Sequence, residues 1–262
     1  MKDKNGKNVK IAALILAAGN GKRFGGDTPK QFLMIDETPM LLYSVDAILP
    51  HVDRLLVVAK AEEIGRTEEI LNEAGLLSSV GVVSGGKERY ESSLFGLRAL
   101  AEEESYDFVM IHDAARCLVT EEIVRSVIEG MVSYGPVVAA IPAKDTIKIA
   151  DGNGDGAIPL VCETPDRRRC FQVQTPQGFP FGFLVGCYEK AVYEGTIGSA
   201  TDDASVVEKT SEIPVGIVPG SEENFKVTTP FDFMMAETVL TIRRLRKNAE
   251  KPSCGNDASV DK

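Results

Sequence analysis

The segment LAAGNGKRFGGDTPKQF, residues 16–32, sets Gly19, Gly21 and Gly25 beside Arg23 and Lys30 directly after an apolar run. Glycines let successive backbone N–H groups turn toward one anion, an arginine adds a planar fork of donors, and a lysine adds a point charge. Such a set suits a triphosphate; a surface loop with solvated charges is the alternative that composition alone leaves open. The G-x-G-x-x-x-G spacing misses the dinucleotide fingerprint by one residue. The P-loop pattern also fails, because Arg23 follows Gly21-Lys22 where Ser or Thr is needed and Leu16 stands where Gly is needed.

Other reactive residue types are sparse. Only two histidines are present, His51 and His112, too few for a multi-histidine metal centre. The five cysteines are odd in number and form no C-x-x-C pair, which points to neither a disulfide framework nor a zinc site and fits a reducing cytoplasm. The net charge of −10 argues against a general nucleic-acid binder, so any phosphate is held locally. No stretch approaches a membrane span. Residues 1–19 imitate the charged and apolar parts of a secretory signal, but a strand feeding a glycine loop explains both halves better.

These residues need a scaffold, and 262 residues, 44% of them apolar, can bury a full core. Short runs rich in Val and Ile at 9–17, 54–59, 80–83, 108–112 and 136–141 read as buried strands. Between them, 40–49, 62–74, 88–103 and 121–134 carry apolar residues at helical spacing, the last with Thr120 as its cap. The alternation predicts an α/β fold, a mainly parallel sheet flanked by helices, with ligands in the loops at the carboxyl ends of the strands. Residues 146–150 and 160–164 read as two strands around DGNGDG, a protruding β-hairpin arm that needs a partner surface. Further on, 170–174, 213–218 and 225–227 read as strands, and 181–194 and 231–247 as helices. One domain over 8–247, including a dimerisation arm at about 145–169, is expected, with a disordered polar tail at 248–262.

The opening segment resembles the L-A-A-G-x-G-x-R-x-G-x(3)-P-K-Q-F signature of the sugar-alcohol phosphate cytidylyltransferases, above all the 2-C-methyl-D-erythritol 4-phosphate cytidylyltransferase family. GGKERYESS (85–93), HDAAR (112–116), KDTIK (144–148), DR (166–167), QTPQGF (174–179), TDDASVVE (201–208) and NFKVTTPFD (224–232) are similar to that family's later blocks, in its order. The resemblance implies a nucleotide-diphospho-sugar transferase-like fold. It implies transfer of CMP from CTP to a sugar-alcohol phosphate in isoprenoid precursor synthesis, and a homodimer joined through the arm. It further implies Mg2+ held mainly by CTP phosphates, without a dedicated cage of protein ligands.

Residue by residue, the resemblance gives Ala17, Ala18, Gly19 and Gly21 backbone contacts to CTP, and Arg23 and Lys30 the stabilisation of the α-phosphate. Gly85, Gly86 and Ser92 line the cytosine, and Ala114 joins the CTP set. Asp113 lies beside the sugar and the metal, Arg116 and Thr146 near the second substrate, while Arg167 and Lys226 position the attacking phosphate. No general base is required, because a phosphate monoester with a second pKa of about 6 is already largely ionised.

Blander readings apply to several neighbours. His112 at a strand end reads as a structural hydrogen-bonding residue rather than an acid or base, Asp202-Asp203 as a helix cap with metal binding the alternative, and Arg168 and Arg169 as solvated charges. Cys117 stands where the family commonly has proline, which leaves that loop less constrained and puts a thiol near the second-substrate pocket. A pentitol phosphate such as ribitol 5-phosphate is the alternative substrate; HDAAR and TDDAS favour the methylerythritol type. A protein that binds a nucleotide without turning it over is the alternative from a different class, and the presence of all four cations, Arg23, Lys30, Arg167 and Lys226, speaks against it.

Overall fold

The structure is a computed structural model that describes residues 6–19, 29–151 and 158–249. Gly21 and Arg23, the turn of the arm and the tail beyond 249 lie outside the described residues.

The first strand shows how the sequence builds the layers. In β1 (Ile11–Leu16) every residue is buried. Ile11, Ala13 and Ile15 face one core, and Ala12, Leu14 and Leu16 face the other, as the two-residue period of a strand requires. A continuous apolar run is therefore what a strand covered on both faces needs. Each large side chain so buried contributes about 1.5–3 kcal/mol.

A small ribbon, β2 (Met34–Ile35) and β3 (Thr38–Pro39), leads into α1 (Met40–Ile48). The chain continues through β4 (Arg54–Ala59), α2 (Ile64–Glu73), β5 (Val80–Ser84), α3 (Arg89–Glu103), β6 (Phe108–Asp113), α4 (Glu121–Ser133) and β7 (Val137–Pro142). The arm follows as β8 (Ile149–Asp151) and β9 (Leu160–Glu163); then come β10 (Phe171–Pro180), α5 (Phe181–Tyr193), α6 (Asp203–Thr210), β11 (Gly216–Pro219) and α7 (Pro230–Ala249). Seven strands form the main sheet in the order β11-β7-β10-β6-β1-β4-β5. All neighbours are parallel except β10, which runs antiparallel to both β6 and β7. One face is covered by α1, α2 and α4, the other by α3, α5 and α6. Thr120 caps α4, its hydroxyl accepting from the Ile123 N–H. No described helix is long and apolar enough to cross a membrane.

Two expectations are corrected. Residues 225–227 form no strand: Phe225 and Val227 are apolar because they pack beneath α7 with Ile35, Met40 and Ala236. The return to the sheet runs to Pro180, well past residue 174. A register shift between Val173 and Gln177 gives Pro176 a place where no ladder N–H is needed.

The arm's strands pair antiparallel, and every residue in them is exposed. Ile158, Leu160 and Val161 are 86%, 74% and 58% exposed, apolar side chains without cover among the described residues.

Candidate active site

The order of the strands creates the site. From β1 the chain moves outward to β4 and β5, then α3 carries it back to β6 on the other side of β1. The loops leaving β1 and β6 thus diverge, opening a crevice at the carboxyl ends of the two strands. The Ala17 N–H donates to the Val58 carbonyl (2.8 Å) and the Ala114 N–H to the Leu16 carbonyl (3.0 Å), which extends the ladder to the crevice floor. A cavity of about 400 Å³ lies there.

Ala17, Ala18, Gly19, Lys30, Ser92, Asp113, Ala114 and Lys226 all line this cavity. Gly85 and Gly86 stand behind it. A Cβ on Gly85 would come within 2.8 Å of the Ala18 Cβ and the Ser92 Oγ, so glycine is what lets the end of β5 approach the β1 loop. The Gly86 N–H donates to the Ser92 Oγ (3.2 Å). Glu88 and Glu91 form a reciprocal capping box at the start of α3. Arg89 and Ser92, three residues apart on its first turn, consequently share one face toward the cavity.

The PKQF segment fastens the loop's far end. The Gln31 side-chain amide donates to the Ala17 carbonyl (3.0 Å), and the Lys30 ammonium donates to the Val227 carbonyl (2.9 Å). Phe32 is buried beneath the Arg66 guanidinium, 4.6 Å from its ring centre. Val227 is itself tied to the β6 loop, its N–H donating to the Ala115 carbonyl (2.8 Å). Segments near both ends of the chain therefore bring Lys30 and Lys226 to one cavity.

Asp113 sits at the centre of the charges. Its Oδ1 takes the Arg89 Nε (3.2 Å) and its Oδ2 the Lys226 Nζ (2.6 Å). Burial alone would raise this carboxyl, but Arg89 and Lys226 outweigh it and hold Asp113 well below the usual carboxylate range. Arg89 also reaches Asp203, Nη2 to Oδ2 at 2.7 Å, and the Tyr188 hydroxyl donates to the other Asp203 oxygen at 2.6 Å. Burial alone would lower the Arg89 guanidinium; Asp203 and Asp113 overcome this and raise it.

His112 is held in a buried chain of hydrogen bonds. Its Nε2 lies 3.2 Å from the Arg116 carbonyl, which can only accept, so the proton is on Nε2. Nδ1 then accepts from the Thr175 hydroxyl (3.1 Å), which in turn accepts the Asp113 N–H (3.0 Å). Burial pushes the imidazole down to about 4, keeping it neutral.

A second cavity of about 420 Å³ adjoins the first, and Lys226 lines both. Arg116 lines this second cavity, its guanidinium anchored on the Asn224 carbonyl (2.8 Å). Thr146 and Arg167 are exposed at the base of the arm, line neither cavity, and are not brought to the others within one chain. Arg167 donates to the Lys144 carbonyl instead (2.6 Å). Cys117 offers no thiol to either cavity: it is buried with Leu118 and Val227 beneath α7, and burial pushes it up to about 12.

Sequence reasoning gave no role to Arg89 or Gln31, and read Asp203 as part of a helix cap. The Asp202-Asp203 pair divides its work: Asp202 caps α6 by accepting the Ser205 N–H (2.9 Å), while Asp203 turns inward to Arg89. Asp202 also accepts from the Gln177 amide (2.7 Å), which joins α6 to β10.

Comparison with known proteins identifies the fold and the family. The sequence profile described as 2-C-methyl-D-erythritol 4-phosphate cytidylyltransferase matches residues 11–242. The protein of that name from Geotalea uraniireducens is 37% identical over 235 residues, 88% of this chain and 97% of the relative. The one from Streptomyces coelicolor is 41% identical over 244 residues, 90% of this chain and 87% of its own. Among solved structures, the 4-diphosphocytidyl-2C-methyl-D-erythritol synthase of Anaerococcus prevotii superposes with a TM-score of 0.76 at 27% identity, covering 89% of this chain and 99% of that one. The 2-C-methyl-D-erythritol 4-phosphate cytidylyltransferase of Thermus thermophilus gives 0.70 at 28% identity, covering 88% and 99%. With the crevice between β1 and β6, its flanking cations and a match spanning nearly the whole described fold, this chain belongs to the 2-C-methyl-D-erythritol 4-phosphate cytidylyltransferase family.

Proposed function

We propose that the chain transfers the cytidylyl group of CTP to 2-C-methyl-D-erythritol 4-phosphate, releasing pyrophosphate. The observation that carries this reading is the convergence of Lys30 and Lys226 on a cavity at the ends of β1 and β6. A phosphate oxygen of the sugar alcohol attacks the α-phosphorus of CTP, and the bond from that phosphorus to the bridging oxygen of pyrophosphate breaks. The nucleophile is already an anion, so no proton is removed, and the neutral His112 has nothing to do.

The barrier is the approach of two anions and the charge that grows on the leaving group. Lys30 stabilises the α-phosphate, with Arg23 as its partner from the glycine loop. Lys226, between the two cavities, orients the attacking phosphate, and Arg116 lies beside the sugar alcohol in the second. Ala17, Ala18, Gly19 and Gly21 meet the CTP phosphates through backbone N–H groups, while Ser92, Gly85, Gly86 and Ala114 frame the nucleoside.

The residues fit a magnesium ion that arrives with the triphosphate. No cluster of three or more ligating side chains exists among the described residues, while Asp113 presents one ionised carboxylate to the cavity. Bound there, Mg2+ would supply neutralisation of phosphate charge.

The same reading makes the protein a homodimer joined through the arm. Two-fold packing of the arms covers the exposed apolar side chains Ile158, Leu160 and Val161, and the arm carries Thr146 and Arg167 toward the partner's second cavity. The test is to incubate the protein with CTP, Mg2+ and either 2-C-methyl-D-erythritol 4-phosphate or ribitol 5-phosphate and to measure pyrophosphate. Release with the first and far less with the second is expected. Equal or reversed rates overturn the substrate, and no release with either overturns the activity.

A further inference from the structure

The charges behind the cavity alternate in a single chain of contacts: Lys226, Asp113, Arg89, Asp203, ending on the Tyr188 hydroxyl. Asp203 is fully buried, although a carboxylate out of water is costly unless it is paired and hydrogen-bonded. It is paired twice over, by Arg89 on one oxygen and Tyr188 on the other. Arg89 in turn uses its Nε on Asp113 and its Nη2 on Asp203, so its fork is engaged by protein carboxylates although it borders the cavity.

Asp113 is the link that must change when substrate arrives. Lys226 cannot keep the 2.6 Å contact with Asp113 and also meet an incoming phosphate with its full donor capacity. Once Lys226 turns away, the side-chain contact left to the carboxylate among the described residues is Oδ1 to Arg89. We propose that Arg89, backed by Asp203 and Tyr188, is a positioning residue that keeps the Asp113 carboxylate fixed while Lys226 leaves it for the substrate. The unit reaches beyond the cavity, because Asp203 begins α6 and Tyr188 lies in α5, two helices packed on the sheet behind α3. Two packed helices thereby set the aim of a side chain at the end of β6.

This inference rests on the proposed cytidylyl transfer, and its test separates the two. Arg89→Lys keeps the charge but not the fork, and Tyr188→Phe removes one buried hydroxyl at constant shape. Each is made alone and on an Asp113→Asn background, and kcat, the KM of each substrate, Mg2+–CTP affinity by calorimetry and the unfolding midpoint are measured. If Arg89 acts through Asp113, Arg89→Lys lowers kcat about tenfold or more in the otherwise unaltered protein and less than about threefold on the Asp113→Asn background. Tyr188→Phe shows the same pattern at a smaller scale, and it decides the question if Arg89→Lys does not fold. Equal factors on both backgrounds would mean that Arg89 meets substrate itself, and they overturn the proposal. So does a lowered unfolding midpoint with unchanged kcat and affinity. If the unaltered protein releases no pyrophosphate, the activity reading fails; the positioning role is then decided by the same cycle in Mg2+–CTP affinity.

Discussion

Gly85→Ala adds one methyl group at the tightest point behind the cavity. The new Cβ would lie 2.8 Å from both the Ala18 Cβ and the Ser92 Oγ, and 3.1 Å from a Val58 methyl. Ordinary contact begins at 3.4 Å, so the Ala18 and Ser92 contacts are each about 0.6 Å too short. The serine can rotate, but the Ala18 Cβ moves only with its backbone, which carries the proposed N–H contact to the CTP phosphates. Overpacking of this kind costs about 1–3 kcal/mol, or roughly 2–10 °C in unfolding midpoint for a protein of this size. Displacement of a binding group by several tenths of an ångström costs roughly tenfold in kcat/KM for CTP. The matched control is Gly186→Ala in α5, where an added Cβ meets nothing within 4 Å and the helix gains up to about 1 kcal/mol. Pyrophosphate release over a CTP titration and thermal unfolding of both variants provide the readouts. A Gly85→Ala protein with unchanged midpoint and unchanged kcat/KM would refute the claim that this glycine sets the distance between β5 and the β1 loop.

Lys30→Ala is expected to lower turnover about a hundredfold to a thousandfold, with a stability change near 1 kcal/mol from the lost bond to the Val227 carbonyl; undiminished turnover in a folded variant removes Lys30 from the mechanism. His112, depressed to about 4 from an ordinary 6.5, takes up its proton more readily in the unfolded chain. The stability it gives is therefore complete above pH 6.5 and lost as pH falls toward 4, by about 3 kcal/mol. Urea unfolding across that window should show the loss, and a folded His112→Asn variant should lack it. Deleting residues 149–160 and closing the gap with a short glycine turn should give a monomer of poor turnover. Sedimentation of the intact protein as a fully active monomer at micromolar concentration would contradict the interface.

The sheet was largely legible because its central strands are buried on both faces and write themselves as uninterrupted apolar runs: residues 54–59 are β4 to the residue. Where an apolar pair serves another purpose the same signal misleads, as with Phe225 and Val227 beneath α7. Proline hid the second half of β10, since a strand is not expected to run through Pro176. At the site, the glycines and Lys30 stood out by spacing, and Lys226 came through the resemblance. The pairing of Arg89 with Asp203 did not, because 114 residues separate them and neither local propensity nor periodicity encodes such a contact. The burial of Cys117 was equally hidden, since it depends on a helix that begins more than a hundred residues later.

The antiparallel β10 has a consequence for the order of events on the ribosome. β6, α4 and β7 form a strand–helix–strand unit whose two strands would ordinarily lie side by side, yet the finished sheet keeps them apart with β10 between. At roughly 5–20 residues per second, the 64 residues from Asp113 to Gln177, the first β10 residue paired with β6, take about 3–13 s to emerge, during which β6 shows an open edge. Direct pairing of β6 with β7 is the competitor available in that interval, and it must open again to admit the late strand. The strand that closes the slot also brings Thr175, whose hydroxyl accepts the Asp113 N–H, so nascent chains ending before β10 have the crevice's first wall but not the hydrogen bond that ties down the backbone of its central aspartate.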